Sequence, residues 1–255
     1  MKILDVKDLE ISFKDKKVVK GISFDIGEGD TFALVGESGS GKSVTCSSIL
    51  RLLPSSAQIK GSIKYKNIEI NWEQFNKLKE IRGKEIGYIP QNPITSLNPV
   101  KSIYSQIKET VELYNPQLDK LELFIFCKNL LADVQLYDFE KVFQSYPFEL
   151  SGGMCQRIMI AMALAGKPKL LLADEPTTAL DVTIQAEIMT LLLETTKKKG
   201  LSLLLITHDL PLVAQTCKRV AVIKDGEIQE YGSVQDIFTQ PQNAYTKSLL
   251  DSIKL

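Results

Sequence analysis

The chain has 255 residues, 44% of them hydrophobic, and its 31 basic side chains balance its 31 acidic ones. This length and composition are typical of a globular protein with a substantial core, folded as one large domain or two small ones. A net charge of zero supplies none of the positive field that non-specific nucleic-acid binding requires, so we expect no nucleic-acid partner.

Membrane insertion and secretion are also not expected. No stretch approaches the roughly 20 consecutive apolar residues that span a bilayer, and the charged N-terminus lacks the apolar core of a signal peptide, which predicts a cytoplasmic protein. The four cysteines, Cys46, Cys127, Cys155 and Cys217, are far apart in the sequence and form no C-x-x-C pair. We therefore expect reduced thiols that serve as small apolar side chains, with neither a zinc site nor a disulfide framework.

The first part of the chain has the pattern of a β-rich segment. Short alternating stretches up to about residue 35, separated by Lys-Asp and Gly-Glu-Gly turns, predict antiparallel strands that lead into one buried strand, TFALV. A helix is expected from Lys42. Strand-like alternation resumes over residues 59–70, and the apolar stretch EIGYI leads into the proline-rich loop at residues 90–100.

Residues 102–148 predict an inserted helical segment, because apolar side chains recur there at helical spacing. These side chains are Ile103, Ile107 and Val111, and later Leu121, Phe124 and Ile125. Beyond this segment, strands and helices alternate, which predicts a parallel sheet covered on both faces. The expected elements are a helix at 151–165, a buried strand at 169–174, a helix at 181–200, a buried strand at 201–208, a hairpin around Asp225-Gly226 and a helix at 244–253.

Residues 36–43, GESGSGKS, match the pattern G-x-x-x-x-G-K-[ST] between a predicted strand and a predicted helix. In that setting the glycines let backbone N–H groups surround phosphate oxygens, and the helix N-terminus favours their negative charge. Lys42 would reach the β- and γ-phosphates, and the Ser43 hydroxyl would bind Mg²⁺. A purely structural glycine turn is the alternative, and the strand-to-helix context favours the nucleotide site over it.

Two further motifs carry chemistry that a phosphate site needs. In KLLLADEP, Asp174 would hold Mg²⁺ indirectly and Glu175 would orient and polarise an attacking water, whereas an ordinary acidic pair at a strand end is the alternative. In LSGGM, Ser151 with Gly152 and Gly153 at a helix start forms an anion-binding arrangement.

The order of GESGSGKS, ELSGGMCQR, LLLADEPTTALD and ITHD resembles the nucleotide-binding subunit of an ABC transporter over nearly the whole chain. The resemblance implies an ATPase with an α/β fold, built from a RecA-like P-loop NTPase core, an antiparallel β subdomain and an inserted helical subdomain. Within this single domain, the nucleotide-binding core is expected at 1–90 and 165–230. The helical signature subdomain is expected at 91–164 and a short C-terminal tail at 231–255.

The resemblance also implies ATP and Mg²⁺ as cofactors and assigns roles to individual residues. His208 is the only histidine of the chain, and its position at a strand end is also typical of a structural residue. By the resemblance it contacts the γ-phosphate, and Gln91 senses Mg²⁺ and the water that Glu175 activates. Mg²⁺ would be held by Ser43, Gln91 and Asp174. The nucleotide would be held by the P-loop residues Gly36, Glu37, Ser38, Gly39, Ser40, Gly41, Lys42, Ser43 and Val44.

The remaining assignments concern a dimer. Ser151, Gly152 and Gly153 of one subunit would close over the ATP of another, and Asp181 would cross the interface.

Phe13 would stack on adenine, with a role in the strand core as its alternative. The commonest signature is LSGGQ, whereas this chain has Met154; the phosphate-binding serine and glycines are intact, so we expect activity to be retained.

Two stretches, QNPITSLNPVKSI and YPFELSGGMCQRIMIAMALAGKPKLLLADEPTTALDVTIQAEI, resemble the ATPases of peptide and nickel importers. This group implies two integral membrane permease subunits, a second and different ATPase subunit, an extracytoplasmic solute-binding protein, and a place on the cytoplasmic face of the membrane. The SGGM motif and the short ending favour nickel, free or chelated, with dipeptide or oligopeptide import as the alternative. A soluble ABC ATPase of DNA repair or translation, or an exporter cassette, is less well matched by a single cassette without coiled coil, zinc module or membrane segments.

Overall fold

The computed structural model describes residues 1–14, 16–70, 80–178 and 180–252. Contacts group the chain into two units. We call Met1–Lys79 with Ser202–Leu255 the terminal unit, and Glu80–Leu201 the central unit. The division expected from the resemblance, with boundaries near residues 90, 164 and 230, remains a prediction.

The terminal unit begins with an antiparallel sheet. Its four strands are β1 (Lys2–Phe13), β2 (Lys16–Gly27), β4 (Ala57–Tyr65) and β5 (Ile68–Glu69), in the order β2-β1-β4-β5. All neighbouring strands in it pair antiparallel. The predicted antiparallel beginning and the predicted strand character of residues 59–70 are confirmed.

A second set of strands in the terminal unit is mainly parallel. It consists of β3 (Thr31–Val35), β8 (Ser202–Thr207), β9 (Arg219–Lys224) and β10 (Glu227–Ser233), in the order β10-β9-β3-β8. Strand β3 pairs parallel with both β8 and β9, and β10 returns antiparallel through the predicted hairpin turn. Every residue of β8 is buried, as expected of a parallel strand that is covered on both faces.

Among its described residues, the terminal unit also contains the helices α1 (Lys42–Ile49), α8 (Leu210–Thr216), α9 (Val234–Thr239) and α10 (Ala244–Asp251). Helix α1 begins at Lys42 and α10 lies within residues 244–253, as predicted. Helices α8 and α9 were not predicted. Each begins at a side-chain cap, Asp209 and Ser233, which accepts a hydrogen bond from a backbone N–H of the first turn.

The central unit combines a pair of parallel strands with helices. The strands are β6 (Ile86–Ile89) and β7 (Leu170–Asp174), and β7 is buried throughout. The helices are α2 (Pro93–Ser96), α3 (Ile103–Tyr114), α4 (Lys120–Asp133), α5 (Phe139–Gln144), α6 (Gly152–Leu164) and α7 (Val182–Lys199). The predicted helical segment is confirmed, as are the helix, strand and helix predicted at 151–165, 169–174 and 181–200. Helix α2 lies within the predicted proline-rich loop and was not predicted.

The apolar spacing seen in the sequence coincides with the buried face of α3 but not with that of α4. Helix α3 buries Ile103, Ile107 and Val111. In α4, however, Leu121, Phe124 and Ile125 are 67%, 42% and 48% exposed. Helix α4 instead turns another stripe toward α3 and α6, because that stripe continues its spacing of three and four residues along the whole helix. The stripe consists of Leu123, Cys127, Leu130 and Leu131.

All four cysteines are buried and none forms a disulfide. Burial raises the pKa of the Cys127 and Cys217 thiols to about 11, so both are protonated and act as small apolar groups. In the described part of the chain, no helix combines the length and the apolar character that crossing a membrane requires.

Candidate nucleotide site

The P-loop of the terminal unit follows β3 directly and holds its own lysine. The Lys42 side chain is buried, and its ammonium group donates to the backbone carbonyls of Gly36 at 2.9 Å and Glu37 at 2.8 Å. A side chain at Gly36 would collide with the carbonyl oxygen of Ile223, because the loop and β9 lie in close contact there. The P-loop backbone therefore surrounds the Lys42 ammonium group.

The loop leads into α1 without a side-chain cap. The N-cap residue, Gly41, has a left-handed backbone with φ of 104° and gives no side-chain oxygen to the first turn. Backbone N–H groups at an uncapped helix start can bind an anion. Ser43 and Val44 are half-buried in that turn, whereas the predicted loop residues Glu37, Ser38 and Gly39 are exposed.

The Ser40 side chain differs from those of Glu37 and Ser38 in the same loop because it is buried. It is only 4% exposed, and its hydroxyl makes no hydrogen bond with any residue that the structure describes. Its backbone carbonyl, in contrast, is bonded to the β9–β10 hairpin. Ser40 therefore lies on the inner side of the loop, where its main chain is fixed.

His208 leaves the same end of the parallel strands as the P-loop. Val35 at the end of β3 pairs with Thr207 at the end of β8, so the next residues, Gly36 and His208, begin at the same edge. Ligands of open α/β sheets bind at this carboxyl edge. His208 is exposed, and the adjacent Asp209 is held by a hydrogen bond from its backbone N–H to the Thr207 hydroxyl, at 3.0 Å.

Phe13 is the last residue of β1 and is half-buried, outside the fully buried core of the terminal unit. It pairs with Lys16 of β2 and Ala57 of β4. Its role in stacking on adenine remains a prediction.

The β9–β10 hairpin supports the P-loop, which the sequence patterns did not indicate. The Gly226 backbone N–H donates to the Ser40 carbonyl at 3.1 Å, and the Gly226 carbonyl accepts from the Lys20 N–H at 2.8 Å. Gly226 has φ of 83° and packs against the Val18 carbonyl. The Asp225-Gly226 pair predicted the turn itself. Its contacts with the P-loop could not be predicted, because they join segments that are far apart in the sequence.

Replacing Gly226 with alanine is expected to destabilise the protein and to weaken ATP binding. The new Cβ would be strained at positive φ and would collide with the Val18 carbonyl, which moves the turn away from Ser40. The expected loss of unfolding free energy is about 1–3 kcal/mol, measurable by denaturant titration.

Gly29→Ala is the matched control for this substitution. Gly29 also lies in the terminal unit at positive φ, 67°, but a Cβ there would meet nothing within 4 Å. Both variants share the backbone strain, whereas only Gly226→Ala disturbs the P-loop. Equal ATP affinities of the two variants would contradict a supporting role for the hairpin.

The acidic pair lies at the end of β7 in the central unit. Asp174 is 3% exposed, and its carboxylate accepts a hydrogen bond from the Tyr88 hydroxyl at 3.4 Å. The next residue, Glu175, is half-buried and has a left-handed backbone with φ of 45°. Non-glycine residues in this region are uncommon and concentrate at functional sites, where the surrounding structure holds the strain.

One oxygen of Glu175 is fixed by two donors within the central unit. Its Oε2 accepts from Gln91 Nε2 at 2.9 Å and from the Thr178 hydroxyl at 2.9 Å. Gln91 follows β6, whose last residue pairs with Ala173 of β7, so the two strand ends bring Gln91 and Glu175 together. Thr178 was not predicted as a site residue. It follows Glu175 by three residues in a tight turn, in which its N–H also donates to the Glu175 carbonyl.

The signature residues form a second cluster in the central unit. Ser151 caps α6 by accepting from the Met154 N–H at 3.2 Å, and Asp181 caps α7 by accepting from the Ile184 N–H at 3.0 Å. The two helix starts are in close contact, because a Cβ on Gly153 would lie 2.8 Å from the Ile184 side chain. A side chain at Gly153 would therefore force Ile184 to move, whereas a Cβ on Gly152 would lie 3.1 Å from the flexible end of Leu180.

The structure therefore places the predicted residues at four locations. The terminal unit contains the P-loop with His208 at one sheet edge, and Phe13 at the end of β1. The central unit contains Asp174, Glu175 and Gln91 at the ends of β6 and β7. It also contains the signature cluster of Ser151, Gly152, Gly153 and Asp181.

The model of the ABC transporter family matches residues 19–178, more than half of the chain, and the protein belongs to this family. Among curated relatives, the chain is 44% identical to the dipeptide transport ATP-binding protein DppD of Haemophilus influenzae, over 99% of this chain and 78% of that protein. It is 43% identical to the probable peptide ABC transporter ATP-binding protein y4tR of Sinorhizobium fredii, over 98% of this chain and 76% of that protein.

A solved structure shares the fold. It is a dimeric, post-hydrolysis state of the ATP-binding cassette MJ0796 bound to ADP and Pi, with a TM-score of 0.79, 28% identity and coverage of 91% of this chain and 98% of that one. The α/β cassette fold predicted from the motifs is confirmed. The chain is an ATP-binding ABC transporter ATPase, in which hydrolysis is coupled to transport. The nickel prediction receives no support, because these curated relatives are named for peptides or dipeptides.

Proposed function

We propose that this chain is the ATPase subunit of an ABC importer of short peptides. The observation that carries this proposal is its similarity, over 98% or more of its length, to ATP-binding proteins named for peptide and dipeptide transport. The P-loop around Lys42 and the fixed Glu175 carboxylate give the chain the groups that such an ATPase needs.

The P-loop, residues 36–44, binds the phosphates of ATP. Its backbone N–H groups and the start of α1 face the phosphate oxygens, and the Lys42 ammonium exchanges its loop carbonyls for the β- and γ-phosphates. His208, at the same sheet edge, contacts the γ-phosphate. Phe13 stacks on the adenine ring.

The donors for Mg²⁺ are the Ser43 hydroxyl, the Asp174 carboxylate and the Gln91 amide oxygen. All three are hard oxygen ligands, which this cation prefers. One carboxylate beside a hydroxyl and an amide oxygen fits Mg²⁺, which proteins hold through one or two carboxylates together with substrate phosphates. Bound there, the ion would neutralise phosphate charge.

Glu175 is the general base. Its carboxylate takes a proton from the attacking water, and the hydrogen bonds from Gln91 and Thr178 to its Oε2 fix the orientation in which it does so. Gln91 joins this carboxylate to the loop that follows β6, so a movement of that loop alters the geometry of catalysis.

The working unit is a dimer of cassettes. Ser151, Gly152 and Gly153 close over the ATP bound by the other subunit, and Asp181 contacts that subunit across the interface. The similar cassette MJ0796 is dimeric with ADP and Pi bound, which supports this arrangement. We expect the second ATPase subunit to be a different chain. ATP binding closes the dimer and hydrolysis opens it, which drives alternating access in the permease.

The other partners are two integral membrane permease subunits and an extracytoplasmic solute-binding protein. The chain would lie on the cytoplasmic face of the cell membrane, with the loop after Gln91 against the permease. Peptides are the transported solutes that the relatives favour, in place of the nickel that the SGGM motif suggested. Their names likewise give no support to a role in DNA repair or translation.

Uptake of a labelled dipeptide and of radioactive nickel, measured in parallel, tests the solute. Cells that lack this chain are compared with the same cells carrying the intact protein. We expect dipeptide uptake to fall to background without the chain and nickel uptake to stay unchanged. Loss of nickel uptake alone would contradict the peptide proposal, and unchanged uptake of both would contradict the assignment to either branch.

A further inference from the structure

Helix α10, near the C-terminus, is fixed to strand β10 by a set of hydrogen bonds. The Glu230 carboxylate accepts from the backbone N–H groups of Gln242 at 2.7 Å and Asn243 at 3.2 Å. The Asn243 side chain caps α10 by accepting from the Tyr245 N–H at 2.8 Å, and it donates to the Gln229 carbonyl at 3.2 Å. The first turn of α10 therefore has a defined position on the sheet.

This anchoring places Tyr245 beside the part of the hairpin that supports the P-loop. The Lys224 ammonium lies 4.4 Å from the centre of the Tyr245 ring, within cation–π range. Lys224 stands between Ile223, whose carbonyl packs against the P-loop, and Gly226, whose N–H is bonded to it. The Tyr245 ring therefore contacts a side chain of the hairpin that supports the P-loop.

The hydroxyl of Tyr245 is buried and makes no hydrogen bond of acceptable geometry with any residue that the structure describes. Burial raises the pKa of the Tyr245 phenol, and the nearby carboxylates of Glu37 and Asp225 raise it further. The Glu37 backbone N–H acts in the opposite direction, because it favours the charged form. The hydroxyl is therefore a neutral group that can donate or accept. A buried polar group without a partner is uncommon and calls for an explanation.

Glu37, like Gly36, is a P-loop residue whose carbonyl holds the Lys42 ammonium before phosphate binds. Its carbonyl accepts from the Lys42 ammonium at 2.8 Å in this structure. If Lys42 binds the phosphates of ATP, as proposed above, the ammonium turns toward them and the peptide groups around Glu37 rearrange. The Tyr245 hydroxyl has the backbone N–H and the side chain of Glu37 as neighbours. It lies on a helix whose start is held on β10 independently of the P-loop.

We propose that Tyr245 is a positioning residue of the nucleotide site, whose hydroxyl accepts a hydrogen bond from the Glu37 backbone N–H when the P-loop holds phosphate. The C-terminal helix then stabilises the ATP-bound conformation of the loop in preference to the free one. This inference rests on the proposed role of the P-loop. It extends that role to a helix more than 200 residues away in the sequence.

The test is the affinity of the Tyr245→Phe variant for ATP, together with its melting temperature with and without ATP. The lost hydrogen bond is expected to weaken ATP binding roughly two- to tenfold, with kcat unchanged within about twofold, because one neutral bond is lost from the bound state. The free variant should melt close to wild type, because the proposed hydrogen bond forms when the P-loop holds phosphate. The rise in melting temperature caused by ATP should be smaller.

Tyr231→Phe is the matched control. The Tyr231 hydroxyl donates to Asp25 at 3.2 Å, so this variant loses a hydrogen bond of the same unit that is not directed at the P-loop. We expect it to bind ATP like wild type. A Tyr245→Phe variant that keeps wild-type affinity and the full ATP-induced stabilisation would overturn the inference. The Lys42→Ala variant distinguishes failure of this inference from failure of the P-loop proposal. If Lys42→Ala loses ATP binding while Tyr245→Phe keeps it, only the role of Tyr245 is contradicted. If Lys42→Ala also keeps ATP binding, the P-loop proposal is contradicted as well.

Discussion

Replacing Glu175 with glutamine is expected to lower the ATP hydrolysis rate of the assembled transporter by roughly 100-fold or more, as for the loss of a general base. A neutral amide cannot take a proton from the attacking water. The amide has the same shape as the carboxylate, and its oxygen can still accept from Gln91 or Thr178, so the surroundings of the residue should persist. ATP binding is therefore expected to be kept.

Two measurements on the purified complex check this prediction: steady-state phosphate release, and the dissociation constant of ATP under conditions without turnover. Glu140→Gln is the control, because Glu140 is an exposed residue of α5 in the same unit and undergoes the same change of charge. It should hydrolyse ATP at the wild-type rate. Wild-type turnover in Glu175→Gln would remove Glu175 from the mechanism.

Replacing Lys42 with alanine is expected to abolish measurable hydrolysis by weakening ATP binding at least about tenfold. A hydrogen bond to a charged group contributes about 1.5–3 kcal/mol, and the ammonium is proposed to make such bonds to two phosphates. The substitution also removes the donor to the Gly36 and Glu37 carbonyls inside the loop, so the free P-loop should become less ordered.

Binding of ATP by the variant, measured by calorimetry beside its melting curve, separates lost affinity from lost folding. Lys20→Ala serves as the control, because Lys20 belongs to the terminal unit and its ion pair with Glu227 at 3.8 Å is exposed. Such pairs contribute at most about 1 kcal/mol. Wild-type ATP affinity in a folded Lys42→Ala variant is incompatible with the proposed site.

The strands could be predicted from the sequence because their patterns are local. The strands β7 and β8 each contain a continuous apolar run, and both are buried throughout. The Asp225-Gly226 pair has φ of 50° and 83°, the two positive values that this dipeptide favours in a hairpin. In each case, neighbouring residues alone decide the conformation.

Short helices and helix faces were less predictable. Helices α8 and α9 have seven and six residues, so they contain too few turns to show a periodic pattern. For α8 a signal was present, since Asp209 is a favourable cap and Pro211 suits the first turn of a helix. In α4 apolar residues lie on more than one face, and contacts with α3 and α6 select the stripe around Cys127.

Some residues of the candidate site could likewise be predicted from local sequence patterns, and others could not. The P-loop and the acidic pair are contiguous motifs, so the sequence is sufficient to propose their chemistry. The hydrogen bond from Gln91 to Glu175 spans 84 residues, and only the resemblance to ABC ATPases suggested Gln91. The contacts of Gly226 with Ser40 and the position of Tyr245 depend on the packing of distant elements, for which no residue pattern was visible.

The solute is the least predictable property, because it is not expected to contact this subunit. The motifs that favoured nickel lie in a helix start and in the short ending, neither of which faces a transported molecule in the proposed mechanism. Similarity over the whole chain is a better guide than one motif, and it favours peptides.

The most direct test of the central claim is ATP-driven accumulation of a labelled dipeptide by the complete transporter in membrane vesicles, with wild-type protein and Glu175→Gln in parallel. We predict that wild-type vesicles accumulate the peptide only when ATP is supplied on the side of this subunit, and that Glu175→Gln vesicles bind ATP but accumulate none. Accumulation at the wild-type rate by Glu175→Gln, or none by the wild type, would contradict the claim that hydrolysis at this site drives peptide import.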